Sequence, residues 1–161
     1  MSVGDINSTE KGSGARFNTG KAPFELIPLT LVADYYSPDF KAREVRYALY
    51  ALRSLGVWQE TGHTHNLLAS LRHLGDEGWL ECAQVFAYGK LKYAEWNWAK
   101  GMAWSIPMAC AARHLIAIIE GEQNDPESGL PHRGHVFCNI VMLLTYAKVF
   151  PEGDDRPRCL S

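Results

Sequence analysis

Apolar residues along this chain return every three or four positions, and no stretch shows the strict alternation of a half-buried strand. In "DFKAREVRYALYALRSLGVW" the set Val45, Leu49, Leu52 and Leu55 predicts a helix ending at Gly56. "HNLLASLRHLG" predicts a second, closed by Gly75, and residues 76–93 a third whose buried stripe is Trp79, Ala83, Phe86 and Ala87. "AEWNWAKGMAWSI" reads as a Trp-rich loop. Pro107 suits a first helical turn, where its missing N–H is harmless, and Ala111, Leu115, Ile118 and Ile119 carry that helix to Gly121. A last helix starts near Leu130, runs through Val136, Ile140, Leu143 and Ala147, and stops before Pro151. The expectation is an all-α fold of about five helices, the last two an antiparallel pair.

Outside these elements the pattern lapses. Residues 1–15 are polar and rich in Gly and Ser, which predicts a flexible arm, and "PEGDDRPRCLS" at 151–161 predicts a frayed tail. Between them, "ARFNTGKAPFELIPL" combines turn residues with a first apolar anchor, Phe24, Leu26, Ile27 and Leu29. With 161 residues, 47% of them hydrophobic, the chain suits one domain, taken as 16–150.

Charge narrows the function classes. A formal net charge of -2 gives no basic field for wrapping duplex nucleic acid. No apolar run has the length of a membrane span, and "MSVGDINSTEKGSG" lacks the apolar centre of a secretory signal, so a cytoplasmic protein is expected. Cys82, Cys110, Cys138 and Cys159 are widely spaced and read as free thiols.

The polar residues concentrate instead in "GEQNDPESGLPHRGHVFCN". His132, His135 and Asn139 fall at i, i+3 and i+7, one face of the last helix near its N-terminus. The preceding loop adds Glu122, Asp125 and Glu127, and His114 sits on the other helix. Carboxylates with imidazoles can hold a divalent cation, with Mg²⁺ or Mn²⁺ expected and Co²⁺ as an alternative. Each residue taken singly also fits a cap, a turn or a structural histidine; the cluster is what calls for one explanation. Arg16, Lys21, Lys92, Lys100 and Arg113 are candidate phosphate clamps, and Trp96, Trp98 and Trp104 candidates for stacking on a base. "FNTGKAP" lacks the spacing of a Walker A loop, and no Ser nucleophile or Cys–His pair stands out.

Four stretches, "ARFNTGKAPFELIPL", "YGKLKYAEWNWAKG", "RHLIAIIEGEQNDPESGLPH" and "HRGHVFCNIVMLL", together resemble the phage-associated dATP/dGTP diphosphohydrolases, a group allied to the MazG-like all-α pyrophosphohydrolases. The resemblance covers about two thirds of the chain. It implies a MazG-like bundle, and hydrolysis of a purine deoxynucleoside triphosphate, chiefly dGTP, to monophosphate and pyrophosphate. In phages that replace adenine with 2-aminoadenine, it implies remodelling of the nucleotide pool. On the matching motifs it implies catalytic and metal-binding roles for Glu122, Asp125, His132 and His135, with His114 in the metal shell. Substrate-binding roles follow for Arg16, Asn18, Lys21, Lys92, Tyr93, Asn97, Trp98, Lys100, Arg113 and Asn139. Residues 30–75 look like a helical insertion, and His132 and His135 stand where MazG-like enzymes carry a carboxylate pair, which makes Glu77 and Glu81 further candidate ligands. A homo-oligomer, dimer or tetramer, is expected, since Tyr47, Trp58 and Trp79 give a small chain much apolar surface to bury. The rival expectation is a nucleotide-sequestering protein that binds without turnover.

Overall fold

The computed structural model describes residues 2–17, 20–36 and 42–160. The described residues form six α-helices: α1 (Leu29–Tyr36), α2 (Arg43–Thr61), α3 (His65–Leu74), α4 (Glu77–Lys92), α5 (Ser105–Ile119) and α6 (His132–Val149). The all-α expectation holds, and α1 is the helix that periodicity did not single out. Its eight residues are too few to display a repeating stripe, and only Leu29 and Ala33 are buried. The one ladder among the described residues is a two-residue antiparallel pair, β1 (Ser2–Val3) with β2 (Arg16–Phe17), too short to leave an alternating signature.

The helix termini follow local chemistry. Thr61 ends α2 because Gly62 adopts φ 77° and donates its N–H to the Trp58 carbonyl, and Gly75 closes α3. Gly56, expected to end α2, lies inside it: a Cβ there would come within 2.5 Å of the Thr30 backbone nitrogen, so the glycine permits the close approach of α1. Pro107 sits in the first turn of α5, and α6 stops two residues short of Pro151.

Helix α6 is the spine. It packs against α5, α4 and α3, while α2 joins α1, α3 and α5. Val136, Phe137, Ile140, Leu143 and Tyr146 are fully buried, each aliphatic or aromatic side chain contributing on the order of 1.5–3 kcal/mol. The face α4 turns inward is Gly78, Cys82 and Val85, whereas Trp79, Ala83 and Ala87 of the expected stripe are exposed. Proximity to α6 explains the rotation: a Cβ on Gly78 would strike the Phe137 ring, and one on Gly134 would meet the Glu81 backbone at 2.9 Å. Small residues let the two backbones approach, and Trp79 packs edge-on against Phe137 from outside.

Residues 30–75 supply α1, α2 and α3, and their Leu52, Leu55, Trp58, Leu67 and Leu71 belong to the same core as α5 and α6. The N-terminal segment is tied down by Gly12 N–H to Lys100 O at 2.6 Å, Gly14 N–H to Gly101 O at 2.8 Å and a buried two-bond clamp between Ala15 and the Asn97 amide. The C-terminal tail is also held. Arg156 grips Asp154 through Nε (2.9 Å) and Nη2 (2.8 Å) and lies over the rings of Trp58 and Trp104. None of the four cysteines forms a disulfide, and Cys82, Cys110 and Cys138 are buried. Among the described residues, no helix is long and apolar enough to cross a membrane.

Candidate functional site

Helices α5 and α6 run antiparallel, which sets His114 opposite His132 and His135, and Cys110 opposite Asn139. The loop between them is folded on itself by Glu122 N–H to Ala117 O, Asp125 N–H to Leu130 O and His132 N–H to Gln123 O. Gly121 and Gly129, at φ 96° and 72°, supply the left-handed turns that this path needs. The loop thereby returns its carboxylates to the start of α6. A cavity of about 910 Å³ opens here, walled by the second half of α4, the Trp-rich turn, α5 and α6.

At one end of the cavity the imidazoles converge. His132 is buried, and its Nε2 lies 2.7 Å from Glu122 Oε1. Donation to that carboxylate puts the His132 proton on Nε2 and leaves the Nδ1 lone pair facing His114 Nδ1, also 2.7 Å away. Two facing lone pairs repel, so the arrangement needs either a proton on His114 Nδ1 or a cation between the rings. Asp125 completes a group with His114 and His132 whose ligand atoms all lie within 4.8 Å of one another. Two imidazoles and a carboxylate form a donor set for a divalent metal, with Glu122 as the outer partner that fixes the His132 tautomer.

His135 stacks on His114 at 4.3 Å, and its Nε2 contacts Ser128 Oγ at 2.8 Å and Asp125 Oδ2 at 3.5 Å. Burial, reinforced by His114, pushes the His135 pKa down to about 4, so the ring is neutral at pH 7. Burial raises the Asp125 carboxyl, but hydrogen bonds from the Ser128 backbone and hydroxyl outweigh it and hold the group below the ordinary carboxylate range. Burial would likewise raise Cys110; the hydrogen bond with His114 and the charge of Arg16 bring its thiol down to about 5 instead.

The basic candidates divide. Lys92 pairs with Glu127 at 3.0 Å, Lys21 approaches the same carboxylate at 3.8 Å, and Arg113 donates to Ala22 O; all three border the cavity. Arg16 reaches further along α6, to Asn139 Oδ1 and Met142 Sδ. Lys100 is elsewhere, its Nζ on the carbonyls of Asp5 and Ser8. Asn97 is buried in its clamp on Ala15, so it positions Arg16 through the backbone. Tyr93 and Trp98 line the cavity, with Phe86 stacked on Trp98 at 5.2 Å. Glu77 and Glu81 face away: Glu81 makes a two-bond pair with Arg133 at 2.7 and 2.9 Å, and Glu77 lies 3.9 Å from the same group. Asn18 lies outside the described residues.

Three participants escaped the sequence reading. Cys110 and His114 are i and i+4 on α5, a spacing that puts them on one face, yet Cys110 sits in an apolar run and reads as core. Ser128 looked like turn chemistry, and Met142 like a core residue.

Comparison with known proteins adds a family for the region that contains this cavity. No solved structure matches this chain. A dATP/dGTP diphosphohydrolase of Salmonella phage PMBT28 is 29% identical over 76 residues, 47% of this chain and 26% of that protein. The chain thus spans about a quarter of the length of this curated relative. The family model described as "dATP/dGTP diphosphohydrolase, N-terminal" matches residues 68–156, more than half of the chain, including α4, α5, α6 and the acidic loop that together build the cavity. On that match the chain belongs to the dATP/dGTP diphosphohydrolase family.

Proposed function

We propose that this protein hydrolyses purine deoxynucleoside triphosphates, dGTP and also dATP, to the monophosphate and pyrophosphate, using a divalent cation held by His114, Asp125 and His132. The observation that carries this reading is that the metal donor group, the cationic rim and an aromatic wall share one cavity. A cation bound there supplies Lewis acidity and a water of lowered pKa. The imidazole-rich donor set suits Mn²⁺ or Co²⁺ better than Mg²⁺. Lys21, Lys92 and Arg113 offset charge on the β- and γ-phosphates, and neutral His135, backed by Ser128, can accept a proton from the attacking water.

The same reading places the enzyme in the cytoplasmic nucleotide pool, where the dGMP formed would feed synthesis of 2-aminoadenine nucleotides in a phage that uses that base. A homo-oligomer is supported by the exposed apolar residues of α4: Trp79, Leu80 and Leu91 are 53%, 66% and 84% exposed.

The test is to incubate the chelator-treated protein with dGTP or dATP, with and without Mn²⁺, Co²⁺ or Mg²⁺, and to separate the products. Metal-dependent release of pyrophosphate is expected. Turnover that survives excess chelator would refute the metal role, and tight binding without products would favour nucleotide sequestration.

A further inference from the structure

Arg16 is held in place before any ligand arrives. The residue before it is clamped by the Asn97 amide, with Ala15 N–H to Oδ1 at 3.1 Å and Asn97 Nδ2 to Ala15 O at 2.9 Å, and Arg16 itself pairs with Val3 in the short ladder. Its guanidinium makes hydrogen bonds only at long range, to Asn139 Oδ1 at 3.4 Å from both terminal nitrogens and to Met142 Sδ at 3.3 Å, and its charge also acts on the Cys110 thiol. No carboxylate pairs with it among the described ion pairs. Asn139 cannot turn away, because its Nδ2 is committed to His135 O at 2.7 Å and Cys110 Sγ at 3.3 Å. A half-buried, pre-positioned fork of donors is thus left with weak acceptors at the wall of a large cavity.

Position along α6 indicates what would satisfy it. His132, His135, Asn139 and Met142 line the cavity on successive turns, so Asn139 lies about 6 Å and Met142 about 10 Å beyond His135. The cations suited to β- and γ-phosphates, Lys21 and Lys92, meet Glu127 of the acidic loop that precedes α6. With the α-phosphate at the metal donors and the distal phosphates near those lysines, the deoxyribose and base extend down α6 toward Arg16. The wall there is apolar and aromatic, with Phe86, Tyr93, Trp98 and Met142 bordering the same space.

We propose that Arg16, oriented by Asn139 and by the Asn97 clamp, reads the O6/N7 edge of a guanine base and makes this site prefer dGTP to dATP. The chemistry is one of donor and acceptor count. Guanine presents two acceptors on that edge, which match the two-donor fork of a guanidinium, whereas adenine presents one acceptor and one amino donor. A glutamine in the same place offers one donor and one acceptor and matches adenine. This inference rests on the reading of the cavity as a purine deoxynucleotide site.

The test uses the whole protein and calorimetric titration with the α,β-methylene analogues of dGTP and dATP, in parallel with inorganic tripolyphosphate. The wild type is expected to bind the dGTP analogue about tenfold or more tightly than the dATP analogue. Arg16→Gln should erase or invert that ratio while leaving tripolyphosphate affinity within about threefold. Equal losses for both nucleotides and for tripolyphosphate would assign Arg16 to a phosphate and overturn the proposal, as would an unchanged nucleotide ratio. Should Arg16→Gln not fold, 7-deaza-dGTP tests the wild type directly: loss of the N7 acceptor must weaken its binding relative to dGTP, and equal binding overturns the proposal. A wild type that binds neither analogue would remove the enclosing reading, an outcome distinct from a lost base preference.

Discussion

Asp125→Asn separates chemistry from folding at the junction between α5 and α6. The wild-type carboxylate accepts the Ser128 N–H at 2.9 Å and lies 3.5 Å from His135 Nε2, with the side chain 16% exposed. Asparagine keeps an oxygen for Ser128 and the same shape but removes the charge, so a charge-assisted hydrogen bond becomes a neutral one. The difference between those classes is about 1 kcal/mol, which for a chain of this size lowers Tm by roughly 2–4 °C. The effect on rate should be far larger. Losing the anionic donor of the metal group is expected to reduce dGTP turnover by about 100-fold or more, the scale of deleting a charge stabiliser. Acid titration of metal-free protein checks the electrostatic half of the argument. Because the folded Asp125 pKa is depressed, its contribution to stability is present above the unfolded value near 3.9 and is lost as pH falls through the folded value. The Tm gap between wild type and Asp125→Asn should therefore narrow below about pH 4. Full turnover in a well-folded Asp125→Asn would refute the assignment of this loop to the active site, and a gap that widens in acid would refute the pKa argument.

Two other substitutions test the expectations of a flexible arm and a frayed tail. Arg156→Ala removes a nearly buried two-bond partner of Asp154 and a cation over two tryptophans, and should destabilise by about 3 kcal/mol, read as a Tm fall of roughly 6–12 °C; a fall under about 2 °C would mean that the tail is indeed frayed. Lys100→Met should leave dGTP kcat/KM within about twofold, because its ammonium serves the carbonyls of Asp5 and Ser8, while limited proteolysis within residues 4–14 accelerates. A hundredfold loss of activity would return Lys100 to the phosphate site.

What could be read from the chain and what could not divide along a physical line. Helices α2, α3, α5 and α6 were legible because each is long enough for its apolar residues to repeat, although the end of α2 was read at Gly56 and lies at Thr61. The inward face of α4 was not, since periodicity weights large apolar side chains, whereas the packing there is set by the absence of side chains at Gly78 and Gly134. Backbone proximity left Trp79 and Leu80 outside as the exposed apolar band.

The site shows the same division at the scale of single atoms. That His114, Asp125, His132, His135 and Asn139 should meet was legible from the i, i+3, i+7 face and the expected antiparallel pair. Their division of labour was not. Glu122 and His132 look equivalent as ligands in a sequence, but only the structure shows that the His132 Nε2–Glu122 contact spends one nitrogen on orientation and turns the other toward His114. Likewise Arg16 and Lys100 look alike as cations beside glycine-containing turns. The β1–β2 pairing and the Asn97 clamp send Arg16 into the cavity, while Lys100, three residues beyond that asparagine, is pulled to the opposite side by the carbonyls of the arm. On the proposed reading Arg16 keeps its donors for a ligand, while Lys100 uses its own to anchor the arm that leads into Arg16.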